Sequence, residues 1–249
     1  MALERHVQLP AYGLDVLAGR TGDPQAAAVA LRRHLGLGVE PIPHVVRTLE
    51  DAGVLVVRLG LDRNDIDAFS VPFHDRPVIV LGDDKAKTAR SRFDAAHEVG
   101  HLLLHDVEQA GTKQIETDAH AFAAEFLMPA SVFADLLPGR PDWRVMLDLK
   151  VAWGVSLQAL MMRAKTLSVW SDQTYLNAIK TVAARKWRID EPGDDELGPP
   201  EVPQLLTRSV RALRADDLDV SDIAEQAALP TDIVEGLIAS ADTRRKLGR

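Results

Sequence analysis

The stretch His97-Glu98-Val99-Gly100-His101 constrains this chain more than any other. It follows Arg92-Phe93-Asp94-Ala95-Ala96 and runs on into Leu102-Leu103-Leu104, with no proline to interrupt it. These residues suit a helix, and residues four apart on a helix share one face. Both imidazoles then stand side by side at the spacing that grips one Zn²⁺, with Glu98 beside the metal's open position. The chemistry implied is metal-assisted hydrolysis, in which the ion lowers the pKa of a bound water and the carboxylate takes its proton. The competing explanation is an amphipathic helix whose histidines are structural. A third ligand separates the two, because a catalytic zinc site takes three protein ligands and one water.

The candidates for that ligand are His105, Glu116, Asp118 and His120. On a straight helix His105 rises about 12 Å from His97, too far for one ion, so a supporting role is expected of it. Gly111-Thr112-Lys113 signals a turn. Ile115 to Met128 then reads as a helix, with Ala119, Phe122, Ala123, Phe126 and Leu127 at helical spacing and Pro129 ending it. Glu116 and His120 share a face of that helix, while Asp118 points elsewhere. Glu116 completes a set of His97, His101 and Glu116 from two antiparallel helices. A first-turn carboxylate is also favoured by the helix dipole, and the two roles are compatible. Zinc is the expected ion, although Mn²⁺ and Fe²⁺ accept the same ligands. Hydrolysis further needs a donor to the oxyanion; His120, Tyr175, Arg90 and Arg92 are the candidates, and the sequence does not choose among them.

The 249 residues allow one sizeable core and a smaller appendage. The absence of cysteine removes disulfides, thiolate zinc sites and cysteine nucleophiles. No stretch has the layout of a signal peptide or the length of a membrane span, so a cytoplasmic location and no membrane partner are expected. The net charge of −8 opposes broad, charge-driven DNA binding.

Residues 1–22 read as an irregular lead-in. Asp23-Pro24 opens a helix that runs to about Leu35, and a second runs from Pro43 to about Ala52. The period then changes. Val54–Leu59, Ile66–Val71 and Pro77–Leu81 read as strands of a small antiparallel three-stranded sheet in front of the metal helices. An edge strand, with the third as the candidate, would pair with an extended peptide substrate. The fold class is α+β: a zincin-like metallopeptidase domain over 23–140 with its HExxH helix, followed by helical domains.

Residues 141–190 outline a helix-turn-helix, with Ala152-Trp153-Gly154-Val155-Ser156 as the turn. Its second helix offers Gln158, Arg163 and Lys165 to DNA, while Leu157, Leu160, Met161 and Ala164 form a stripe that suits a core. The acidic Pro- and Gly-rich stretch 191–200 reads as a linker. Residues 201–249 read as a small helical C-terminal domain, in which Val220–Val234 again outlines helix, turn, helix.

Ala96-His97-Glu98-Val99-Gly100-His101-Leu102-Leu103-Leu104-His105, followed by Ile115-Glu116 and the run Ala119–Pro129, resembles the ImmA/IrrE family of zinc-dependent metallopeptidases. The looser likeness extends from about Pro41 to about Leu167. The resemblance implies His97, His101 and Glu116 as metal ligands, Glu98 as the catalytic glutamate and Zn²⁺ as the cofactor. It also implies a regulatory protease that cleaves a partner transcriptional repressor, often one with a helix-turn-helix, and so releases genes for stress response or mobile-element transfer. The rival is a non-proteolytic transcriptional regulator or antitoxin-type protein that keeps the fold and acts by binding. The free carboxylate of Glu98 opposes the rival, since a purely structural zinc site has no use for it.

Overall fold

The computed structural model describes residues 8–60, 67–73, 76–82, 87–105 and 112–215, with isolated positions beyond. Residues 8–22 contain only a single 3₁₀ turn, yet Leu14 among them is 1% exposed and Gly19 N–H bonds to Leu103 O. Asp23 caps helix α1 (Pro24–His34) by accepting from Gln25 N and Ala26 N, with proline opening the first turn. Helix α2 (Val45–Asp51) follows, capped by the side chain of His44.

Three strands come next: β1 (Leu55–Leu59), β2 (Ala68–Val71) and β3 (Val78–Gly82). Their order is β1-β3-β2, with β2 antiparallel and β1 parallel to β3. The expected all-antiparallel sheet is therefore corrected to a mixed one. After β2 the chain returns between the first two strands, so β3 runs antiparallel to β2 and parallel to β1, whose Leu55, Val56, Val57 and Arg58 are all buried. A strand covered on both faces is the kind that parallel pairing accommodates. The third strand, proposed as a substrate edge, is instead the middle of the sheet. The edges are β1 and β2.

Helix α3 (Thr88–Leu104) lies against the sheet and against helix α4 (Lys113–Leu127), whose first turn is capped by the Thr112 hydroxyl. Gly100 makes the contact between these helices tight: a Cβ there would sit 3.1 Å from the Phe122 ring. α1 crosses α4, and the Arg32 guanidinium donates to Phe126 O at the end of that helix (2.6 Å). Leu31, Val46, Leu49, Ile79, Val99, Phe122 and Phe126 form the shared core.

Helix α5 (Ala130–Leu136) leads to α6 (Trp143–Trp153) and α7 (Leu157–Thr166), which meet at 106° as a helix-turn-helix does. Gly154 closes α6 with φ +63°, and its bare Cα lets the Arg92 guanidinium approach. Helix α8 (Asp172–Ala184) packs on α7. Of the three side chains offered to DNA, Arg163 is buried and bonded to Glu125 and to Met128 O, and Lys165 pairs with Asp172. Gln158 N and Leu157 N, at the start of the would-be recognition helix, donate to Glu191.

The acidic stretch read as a linker lies along these helices. Lys150, fully buried, bonds to Glu191 (2.8 Å) and Asp194, and Lys87 bonds to Asp194 (2.8 Å). Glu201 accepts from Val45 N and Val46 N and pairs with Arg92. Helix α9 (Leu205–Ala215) is capped by Glu50 and sets Leu205 against Leu55, Val57 and Val80 of the sheet. Most of Val220–Val234, the second helix-turn-helix outline, lies outside the described residues, as does Gly111.

Candidate metal centre

Residues 97–101 fall in the last two turns of α3, and Glu116 falls in the first turn of α4. Because the two helices pack along their lengths, the carboxylate meets both rings. His97 Nε2 and His101 Nε2 are 3.0 Å apart, Glu116 Oε2 is 3.2 Å from the first, and Glu116 Oε1 is 3.5 Å from the second. Among the described residues these form the one group of three or more potential ligands gathered closely enough to share an ion. A tetrahedral ion bound at about 2.0–2.2 Å holds its ligand atoms about 3.3–3.6 Å apart, so the donor set fits a divalent cation of zinc's size. The two histidines are largely buried and Glu116 is half exposed, which leaves the cluster open on the α4 side.

The electrostatics suit ligation. Burial, with His101 and His120 nearby, pushes the His97 pKa down to about 3, and burial also lowers that of His101. Both rings therefore stay neutral at neutral pH and offer a lone pair. Glu98, 6% exposed, has its carboxyl raised to about 7 by burial first, with the Ser70 hydroxyl opposing. That hydroxyl donates to Glu98 Oε2 at 2.7 Å. A carboxylate so tuned can both take and return a proton near neutrality.

Ser70 was not singled out in the sequence, and nothing local marks it. It reaches Glu98 only because β2 is the sheet edge that runs alongside α3. Asp94 was also missed; burial raises its carboxyl to about 6, against the opposing pull of Arg90. Its signal was a carboxylate one turn before the motif on a buried helix.

Among the candidate oxyanion donors, the structure brings His120 to the cluster, with its ring 4.5 Å from that of His97. His120 Nδ1 donates to Glu116 O (2.7 Å), since a carbonyl can only accept. Arg90 pairs with Asp67 at the rim. Arg92 is a buried strut to Glu201 and to Ile42 O, and Tyr175 lies on α8 beneath the Lys165 ammonium. His105 caps α3 rather than extending it, and its ring lies 5.7 Å from that of His101. Asp118 pairs with Gln114 on the outer side of α4.

Residues 49–165 match the Peptidase M78 family, described as the IrrE N-terminal-like domain. Over these residues the chain is similar to the ImmA/IrrE family. The match takes in the sheet, the cluster of His97, His101 and Glu116 and most of the α6–α7 unit. A relative is the radiation response metalloprotease IrrE of Deinococcus radiodurans, 27% identical over 151 residues. The alignment covers 55% of this chain and 44% of that protein, so the chain spans less than half the length of this ImmA/IrrE relative.

Proposed function

We propose that this chain is a zinc-dependent metalloendopeptidase that hydrolyses a peptide bond in a regulatory protein. The observation that carries the reading is the cluster of His97, His101 and Glu116 donor atoms beside the buried, proton-poised Glu98. His97 and His101, held neutral, and Glu116, held by the capped first turn of α4, are the residues that would hold the ion. A bound divalent cation supplies Lewis acidity and an acidified water. Glu98 holds the proton taken from that water and passes it to the leaving amine, while Ser70 fixes which carboxylate oxygen does so. Edge strand β2, which carries Ser70, offers backbone groups to an extended substrate beside Glu98.

The family resemblance supports a helix-turn-helix repressor as the substrate. Among the described residues no single helix is long and apolar enough to cross a membrane, and we place the reaction in the cytoplasm. Burial of Arg163 and the Glu191 carboxylate over the start of α7 oppose DNA contact by that helix.

Metal analysis and cleavage of a co-incubated repressor test the proposal together. Glu98→Gln is expected to keep about one equivalent of zinc and to lose cleavage by roughly a thousandfold or more. Glu116→Ala is expected to lose the zinc. Full zinc content in Glu116→Ala removes the third ligand. Repressor binding without cleavage in the wild type gives the case to the non-proteolytic regulator.

A further inference from the structure

A groove of about 1170 Å³ runs from the metal cluster between α3 and α4 on one side and α7 with the strap Arg188–Asp194 on the other. It is larger than the roughly 300–1,000 Å³ usual for small-molecule sites. Its head holds Phe93, Asp94, Glu116 and His120. Its lining includes three small side chains, Ala121 and Ala124 on α4 and Ala159 on α7. The half-exposed Met162 and the largely exposed Ile189 also line it, next to the buried Met128. Exposed apolar side chains lining one channel mark an interaction surface rather than scattered surface residues.

The backbone around the groove decides what shape of ligand it takes. No strand contributes to the lining. An extended peptide laid here would find few partners for its own N–H and C=O groups, whereas a helix brings its hydrogen bonds with it. The alanines in the lining let a helix axis come close, and Phe93 and Met162 offer it apolar contacts.

Charge decides which helix. Among the groove acids, Glu191 and Asp194 are paired with Lys150 and Lys87, Glu116 faces the His97 and His101 rings, and the largely buried Asp94 faces Arg90. Among its cations, Arg90 and Arg163 are paired with Asp67 and Glu125. Lys113 on the α4 side and Arg188 on the strap side have no ion-pair partner among the described residues. In a chain of net charge −8, these two exposed cations flank the apolar lining and favour an acidic partner.

We infer that the groove docks an amphipathic helix of the protein substrate, apolar face down and acidic residues toward Lys113 and Arg188, beside the stretch presented to Glu98. This rests on the peptidase reading for the identity of the occupant. The substrate class it names is a protein in which an acidic amphipathic helix adjoins an extended segment.

Fluorescence anisotropy on zinc-loaded full-length Glu98→Gln protein tests the docking without any turnover. The probes are three labelled synthetic helices of equal length: an amphipathic Leu/Ala helix flanked by Glu, the same helix flanked by Lys, and a scrambled Glu version without an apolar face. The Glu-flanked helix is expected to bind roughly tenfold more tightly than the other two. Met162→Glu and Arg188→Glu, both at exposed positions, are expected to weaken it by a similar factor. Leu176→Glu, at an exposed apolar position on α8 outside the groove, is expected to leave it unchanged. Equal affinity for the scrambled peptide, or indifference to Met162→Glu in a variant with an unaltered circular dichroism spectrum, overturns the proposal. Docking as expected, alongside a wild type that cleaves nothing, would sink the peptidase reading and leave the groove assignment standing.

Discussion

Glu98 is held by a hydroxyl that comes from a strand, 28 positions earlier in the chain. Ser70→Ala removes the donor but leaves the three proposed ligands in place. A hydrogen bond to a charged group contributes about 1.5–3 kcal/mol, so kcat is expected to fall about tenfold or more with zinc content unchanged. Steady-state kinetics beside metal analysis checks this, and an unaltered kcat would strip Ser70 of its positioning role. The contrast with the ligands shows what a sequence can carry. His97 and His101 lie on one helix, where spacing alone fixes geometry. Glu116 lies one short loop away on the next. Ser70 depends on which strand is the edge and on which face each residue points, and both are properties of the assembled sheet.

At the level of elements, α3 and α4 meet through Gly100, where a Cβ would press on the Phe122 ring at 3.1 Å. Gly100→Ala improves helix propensity but overfills that contact. The net expectation is a loss of about 1–3 kcal/mol, a drop in Tm of several degrees, and weaker zinc binding as Glu116 is pushed away from the rings. Adding Phe122→Leu to Gly100→Ala is expected to recover part of both losses, as read by calorimetry and zinc titration. Helix starts at Asp23, Thr112, Asp142 and Ser156 follow directly from their capping residues. The three strands were also legible from their composition. Their direction was not: the run Leu55-Val56-Val57 marks burial on both faces, but the parallel partner is set by where the chain returns after β2.

Across the whole molecule, buried charge ties the C-terminal segments to the rest. Burial disfavours an ionised Glu201, but His44, the Arg92 guanidinium and the Val46 N–H outweigh it and hold its carboxyl below the ordinary 4.5. A carboxyl depressed in the folded state stabilises the protein above its ordinary pKa, and that contribution is lost as pH falls through the folded value. Thermal unfolding from pH 7 to pH 3 is therefore expected to show an acid-side loss that Glu201→Gln largely abolishes. At pH 7 that variant is expected to be destabilised by about 3 kcal/mol, because Arg92 stays buried without its partner. A wild type and variant with parallel pH profiles would refute this.

The ammonium of Lys150 has no access to solvent, and its two carboxylates arrive from a stretch whose prolines and glycines would suggest a hinge to be cut. Trimming the chain after Asp190 would strand a cation in an oily interior, at a cost of about 3–5 kcal/mol. The smallest fragment that keeps its shape is thus expected to extend at least through Glu201. A protease of broad specificity is expected to leave this acidic run intact for as long as the native protein holds together, and to cut it once the protein is unfolded.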